Sequence, residues 1–371
     1  MNDAFQKDCL DILAAKAARG ELSRRRFTQL AAMLFGGAPL LLRSPAALAE
    51  VRQLVLVNWG GDALKAYDEA YGQPFEKETG IVVKEDGSGP TEGAIAAQFK
   101  SGKPTWDIVD ADPFSAIALG KQGMIEPIDY AIVDKSKMRP GFEWEYAAST
   151  YFFSYVIAYD AQKYGDKPPT SMADFFDVKT FPGKRTMYKW GAGMWEAALL
   201  ADGVAPDKLY PLDLKRAHDK IAALKPDVVA YWGGGAESQQ LMLSGDASMG
   251  LVWSTRASLM EKDSGGQVKF TWDQGLLSPG ALAVIKDNPG GKENAMKFIA
   301  STSIPERQLV MFEMLGQGPA NPATDGLIPA DQRRYNPVDP ANMKTQVALD
   351  MPWYADNYGP ALDEFTKIIS A

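Results

Sequence analysis

Groups able to do chemistry are sparse in this 371-residue chain, and their spacing is poor for catalysis. The single histidine, His218, lies in "LKRAHDKIAAL", where helical spacing puts Leu214, Ala217, Ile221 and Leu224 on one face and His218 at its edge. A half-buried structural histidine is the expected role, and a Ser-His-Asp triad would have to be built on that one helix. The chain has no H-E-x-x-H, no Walker A sequence and no G-x-G-x-x-G after its first strand-like run. Asp110 and Asp112 are close in sequence, but an acidic chain offers such pairs freely, so they do not define a glycosidase. The glycine-rich "YWGGGAES" (231–238) either cradles an anion at a helix starting near Glu237 or makes a tight turn, and the turn is the plainer reading. No catalytic constellation, metal site or cofactor motif is read, so a non-enzymatic role is the expectation.

What stands out is tryptophan placement. Trp59, Trp190, Trp232 and Trp253 each fall at or just past the end of an expected strand or loop, beside glycine or small polar residues. A ring in that position can face a cleft, whereas one in the middle of an apolar stripe belongs to the core. Four such rings, spread over both halves of the chain, point to a shared aromatic-walled cleft. Such a wall buries apolar ligand surface, and each ring face attracts a cation by ~0.5–2 kcal/mol.

The elements that must position these residues alternate. Leu54–Val57 reads as a strand ending at Asn58-Trp59-Gly60-Gly61, a helix follows over 63–78, and Gly80 stops it before a strand at Ile81–Lys84. A helix over 91–100 and a strand over 106–110 lead to Pro113 at a helix start. This β-α-β-α-β order implies a parallel sheet covered by helices, with ligands held outside the carboxyl ends of the strands. After a β-rich stretch at 151–160 a second α/β block begins. Its strands are expected at 184–189 and 247–253 and its helices at about 193–201, 214–224 and 238–243, and a further strand at 281–285 precedes helices from Lys292 and Pro305.

The N-terminal "SRRRFTQLAAMLFGGAPLLL" (23–42) sets arginines against a 13-residue apolar segment broken by Gly36, Gly37 and Pro39, too short to span a bilayer. With Ala47-Leu48-Ala49 following, it reads as a twin-arginine export signal over residues 1–49, cleaved before Glu50. Cys9, the only cysteine, goes with it, which leaves no disulfide or thiolate site, and the expected product is soluble in the periplasm. The remaining 322 residues are enough for two domains. Residues 1–49 carry seven Lys and Arg against four Asp and Glu, so the stated −8 becomes about −11 for the remainder, which gives nucleic acid no footprint.

Taken together, "LVLVNWGGD", "FEKETGIVV", "WDIVDAD", "GMIEPID", "PTSMADFFDVKTFPGKRTMY", "LMLSGDASMGLVWSTRA" and "LGQGPAN" resemble, in order and spacing, the spermidine/putrescine-binding type of periplasmic solute-binding proteins, family 1 receptors of ABC importers. The resemblance covers residues 52–371. It implies a type II periplasmic-binding-protein-like α/β fold of two lobes closing on a ligand. Lobe 1 is expected over 52–152 plus 279–318, and lobe 2 over 153–278 plus 319–371. A monomer that hands its cargo to ABC permease subunits in the inner membrane follows, with no cofactor.

The resemblance makes Trp59 and Trp253 ligand-stacking rings. The family's second-lobe acids that read polyamines are missing, because those regions here are Lys189-Trp190-Gly191 and Ser278-Pro279-Gly280. An ammonium buried without a carboxylate costs several kcal/mol, which disfavours a long diamine. Arg256, assisted by Lys189, is therefore expected to meet a carboxylate or other anion, unless it pairs with Glu261. An aspartate among Asp62, Asp110 and Asp112 is expected to meet an amine. Ser88 and Gln317 complete the expected ligand-binding set. The solute would be a polyamine-like amine, an amino-acid derivative or an opine. An exported enzyme and a chemoreceptor ligand adaptor are the competing readings.

Overall fold

The computed structural model describes residues 53–370, and the export signal expected over 1–49 lies outside them. Along the chain, β1 (Gln53–Val57) leads to α1 (Asp62–Tyr67), which continues through a π-helical turn (Asp68–Gly72) into α2 (Gln73–Thr79). Then follow β2 (Val82–Asp86), α3 (Glu92–Lys100), β3 (Ile108–Ala111), α4 (Pro113–Lys121), β4 (Ile125–Glu126) and the long β5 (Ala148–Asp160). Next come β6 (Arg185–Tyr188), α5 (Met194–Ala201), α6 (Leu214–Leu224), β7 (Val228–Trp232), α7 (Gly235–Leu243), β8 (Met249–Trp253) and α8 (Ser254–Asp263). The 18-residue β9 (Val268–Ile285) is followed by α9 (Lys292–Thr302), α10 (Pro305–Leu315), β10 (Gly318–Pro319), β11 (Val347–Ala348) and α11 (Met351–Ser370).

The strands form one sheet in the order β2-β1-β3-β9-β5-β8-β6-β7. β1 is parallel to β2 and β3, and β6 is parallel to β7 and β8. These are the two parallel blocks that the alternating pattern predicts. The middle is antiparallel: β9 pairs β3 and β5, and β5 pairs β8. The two long strands thus run from one block into the other and carry both.

Alternation along the strands explains why both faces are covered. Leu54, Leu56, Ile108, Leu282 and Val284 join one core cluster, while Val57, Val109, Ala281 and Ala283 point to the opposite face and join another. A third cluster forms the core of the second block, with Trp195 and Trp232 fully buried in it. α11 spans the blocks: Tyr354 and Phe365 pack with Trp195, and Phe114 of α4 lies 5.5 Å from Tyr354 and 4.6 Å from Tyr358, ring centre to ring centre.

Helix ends follow their residues. Thr91 caps α3 by accepting the Ala94 N–H at 3.3 Å, and Gly80 ends α2 at φ +75°. His218 is half-buried on α6 as expected, and its Nε2 accepts the Trp195 indole N–H at 3.0 Å. Burial pushes its pKa below the usual histidine value, so it is the neutral acceptor a core indole requires. Among the described residues no helix is long and apolar enough to cross a membrane, and no three His, Cys, Asp or Glu side chains are grouped to hold a metal.

Candidate functional site

A cavity with about 320 Å³ of empty space, part of it continuous with solvent, lies where the two blocks meet. Its walls come from five places. α4 supplies Asp112 at its N-cap and Phe114 in its first turn, β5 supplies Tyr155, and the end of β6 supplies Tyr188 with Ala192 just beyond. Ser278 comes from β9, Leu349 from just before α11, and Met351, Tyr354 and Tyr358 from the first half of α11, where helical spacing turns 351, 354 and 358 to one side.

β5 is central to the aromatic arrangement. Tyr151, Phe153 and Tyr155 alternate along it and so share one face, with Phe153 5.7 Å from Tyr155 and 6.0 Å from Trp253. Tyr155 continues to Tyr188 at 5.6 Å, and Tyr188 to Trp232 at 4.5 Å. Two glycines make room. A Cβ at Gly193 would lie 2.8 Å from the Tyr155 ring, and one at Gly280 would lie 2.0 Å from the Tyr151 ring. The bare Gly280 lets Tyr151 lie across β9 and donate its hydroxyl to Asp110 at 3.1 Å.

Among the described residues, Asp112 is the only charged one in the cavity wall. Its side chain makes no capping bond to α4, lies within the protein, and keeps part of its surface open to the cavity. Burial pushes its pKa up to about 6. Two residues earlier on β3, Asp110 is fully enclosed, and burial pushes it up to about 7 while phenol hydrogen bonds pull the other way. Burial, more than any neighbouring charge, raises the Tyr155 and Tyr188 phenols well above the usual tyrosine value, with the charge of Asp112 adding to it. The site is thus a carboxylate at the edge of a cage of rings, suited to a cation that can use both.

The other expected site residues fall into three groups. Among the described residues, Trp253 Nε1, Arg256 Nε and Gln317 Oε1 are buried atoms without a hydrogen-bond partner. Trp253 lies 5.6 Å from Tyr188, and the Gly316-Gln317 turn passes Thr255, beside Arg256. Arg256 lies across Gly235, where a Cβ would meet its Nε at 2.3 Å. Glu261 bonds Arg334 at 2.6 Å instead, and among the described residues Arg256 has no carboxylate within ion-pair distance. Lys189 lies across Gly233 and 5.0 Å from the Trp190 ring centre. Trp59 and Trp190 are 49% and 44% exposed, and neither lines the cavity. Trp59 packs on Gly89 beside an exposed Ser88, and Asp62 is exposed on the first turn of α1. Finally, the loop of "YWGGGAES" is a turn whose Gly233 N–H is taken by Glu237 at 2.7 Å.

Trp232 requires a correction. It is fully buried, donates its indole N–H to the Leu251 carbonyl at 3.0 Å, and packs behind Tyr188. It supports the cavity wall and does not form it.

Comparison with known proteins is consistent across the chain. Residues 70–330 match the family described as bacterial extracellular solute-binding protein. This chain belongs to that family. The solute-binding protein is 33% identical to the gamma-aminobutyric acid-binding protein of Pseudomonas aeruginosa, over 89% of this chain and 93% of that one. Among solved structures it is similar to an ABC transporter substrate-binding protein from Bradyrhizobium japonicum, with TM-score 0.80 and 34% identity over 85% of this chain and 99% of that one. It is also similar to a GABA receptor, with TM-score 0.79 and 37% identity over 85% of this chain and 97% of that one. The solute-binding protein therefore has the two-lobed α/β fold of periplasmic binding proteins.

Sequence reasoning missed most of the solute-binding protein's cavity wall. The tyrosines on β5 left a readable signal, aromatic residues at every second position of a strand. Those on α11 left less, because Pro352, Gly359 and Pro360 interrupt the pattern that marks a helix.

Proposed function

We propose that this solute-binding protein is the periplasmic receptor of an ABC importer for a small solute with a protonated amine, an ω-amino acid of the γ-aminobutyric acid kind. The observation that carries this reading is the carboxylate of Asp112, the one charge among the described residues of a cavity otherwise walled by rings, apolar side chains and a hydroxyl. An ammonium there gains an opposite charge and ring faces together. A dication would leave its second charge unpaired, which favours a single amine over a polyamine.

Arg256, whose buried Nε has no hydrogen-bond partner among the described residues, is the group we assign to the solute's carboxylate. The relatives that bind γ-aminobutyric acid support the assignment. In this reading residues 52–152 plus 279–318 and 153–278 plus 319–371 are the two closing lobes, residues 1–49 direct export through the twin-arginine route, and the monomer passes its solute unchanged to permease subunits. No bond of the solute is made or broken.

A thermal-shift screen of γ-aminobutyric acid, longer ω-amino acids, opines and diamines tests this, because a ligand that binds only the folded chain raises its melting temperature. Stabilisation by an ω-amino acid that is recovered unaltered supports the receptor. Product formation, or a preference for diamines, overturns it.

A further inference from the structure

Behind the cavity lies a buried acid that the binding scheme does not use. Glu196 on α5 is fully buried, and among the described residues it has no cationic partner. Its Oε1 accepts the Tyr210 hydroxyl at 2.5 Å, and both its oxygens lie 2.9 Å from the Tyr354 hydroxyl. Each phenol oxygen in turn accepts a backbone N–H at 3.0 Å: Tyr354 that of Gly193, and Tyr210 that of Asp350. Gly193 carries the turn under Tyr155, and Asp350 opens α11, where its own side chain accepts the Trp353 N–H at 2.9 Å. One carboxylate therefore ties the loop before α5, the loop that carries Tyr210 and the start of the helix that lines the cavity.

We propose that Glu196 is a positioning residue for solute binding, holding Tyr354 and the first turn of α11 in the cavity wall through two phenol bridges. It rests on the reading that this cavity holds the solute. The chemistry is specific to a carboxylate. Both phenols already accept an N–H, so each must donate its own proton, and only an ionised acid offers two acceptor oxygens with no competing donor. Burial pushes the Glu196 carboxyl up to about 6, with the Tyr210 and Tyr354 hydrogen bonds pulling it back. A glutamine of the same shape replaces Oε2 by an amide nitrogen, so both phenols would have to share Oε1 while the amide N–H groups face the Tyr354 hydroxyl.

The test has two arms. The first needs no ligand and uses residue-resolved hydrogen exchange. Glu196→Gln should speed exchange about tenfold or more at the Gly193 and Asp350 amides, Tyr354→Phe at Gly193 alone, and Tyr210→Phe at Asp350 alone, with other core amides unchanged. Acceleration spread evenly over the core, or none at those two amides, overturns the proposal. If Glu196→Gln does not fold, the two phenylalanine variants decide this arm.

The second arm measures the Kd for γ-aminobutyric acid. Glu196→Gln and Tyr354→Phe should each weaken binding about tenfold, and the double variant should be no weaker than the worse single one, since both cut one linkage. Additive losses overturn the proposal. If the unaltered protein does not bind γ-aminobutyric acid, the solute reading fails and the exchange arm alone decides the role of Glu196.

Discussion

Replacing Asp112 by Asn should move affinity and stability in opposite directions. Among the described residues the carboxylate is the only charge in the cavity wall, and burial raises its pKa to about 6. A folded-state pKa above the unfolded value means that stability is full below the unfolded value and is lost as pH rises through about 6. At pH 7 the ionised group therefore costs the empty protein about 1–2 kcal/mol, after allowing for the solvent that reaches it. Asn keeps the shape and is an equally good residue at the start of α4, so Asp112→Asn should raise the melting temperature of the empty protein by about 2–4 °C at pH 7. With an ammonium in place the balance reverses. Taking away one partner of a buried ion pair costs ~3–5 kcal/mol, a loss of about 100-fold or more in affinity. Calorimetric titration with γ-aminobutyric acid, and melting curves without it, read the two effects on one preparation. Unchanged affinity in a folded Asp112→Asn variant would refute the assignment, and a fall in both quantities would mean that Asp112 is a structural cap.

Further outcomes follow from the same geometry. Affinity for an amine should fall as pH drops below about 6, because the bound cation holds Asp112 ionised while the empty site takes up a proton; titrations at pH 5, 6 and 7 check this, and a flat profile contradicts it. Arg256→Gln should weaken γ-aminobutyric acid about tenfold or more yet leave butylamine unaffected, as a comparison of the two titrations will show. Trp232→Ala should cost ~3–5 kcal/mol of stability in denaturant unfolding, with ligand affinity reduced only through the slackened Tyr188 wall. Gly280→Ala sets a Cβ against the Tyr151 ring and should cost at least ~1–3 kcal/mol while freeing Tyr151 from Asp110.

The block structure was legible because each strand is short, apolar and followed by a turn and a helix, so Leu54–Val57, Ile108–Ala111 and Met249–Trp253 stand close to where their patterns put them. The antiparallel middle was not. β9 starts at Val268 and passes through Gly275, Ser278 and Pro279 before the expected strand at 281–285, residues that read as a loop unless a neighbouring strand is known to pair with them. The site was half visible. Asp112 lies in the cavity wall and Trp253 packs edge-on against Tyr188 without lining it, whereas Trp232 shows why an end-of-strand position is ambiguous. A ring there packs inward once another ring, here Tyr188, takes the cavity face. α11 carries Tyr354 and Tyr358 to the site from far along the chain, and only the tertiary fold brings them there.

The most direct test is a crystal structure of the protein grown with γ-aminobutyric acid. The account predicts one unaltered solute between the two blocks, with its nitrogen at the Asp112 carboxylate among the Tyr155, Tyr188 and Tyr354 rings. A solute bound elsewhere, or one that turns its carboxylate toward Asp112, would contradict it.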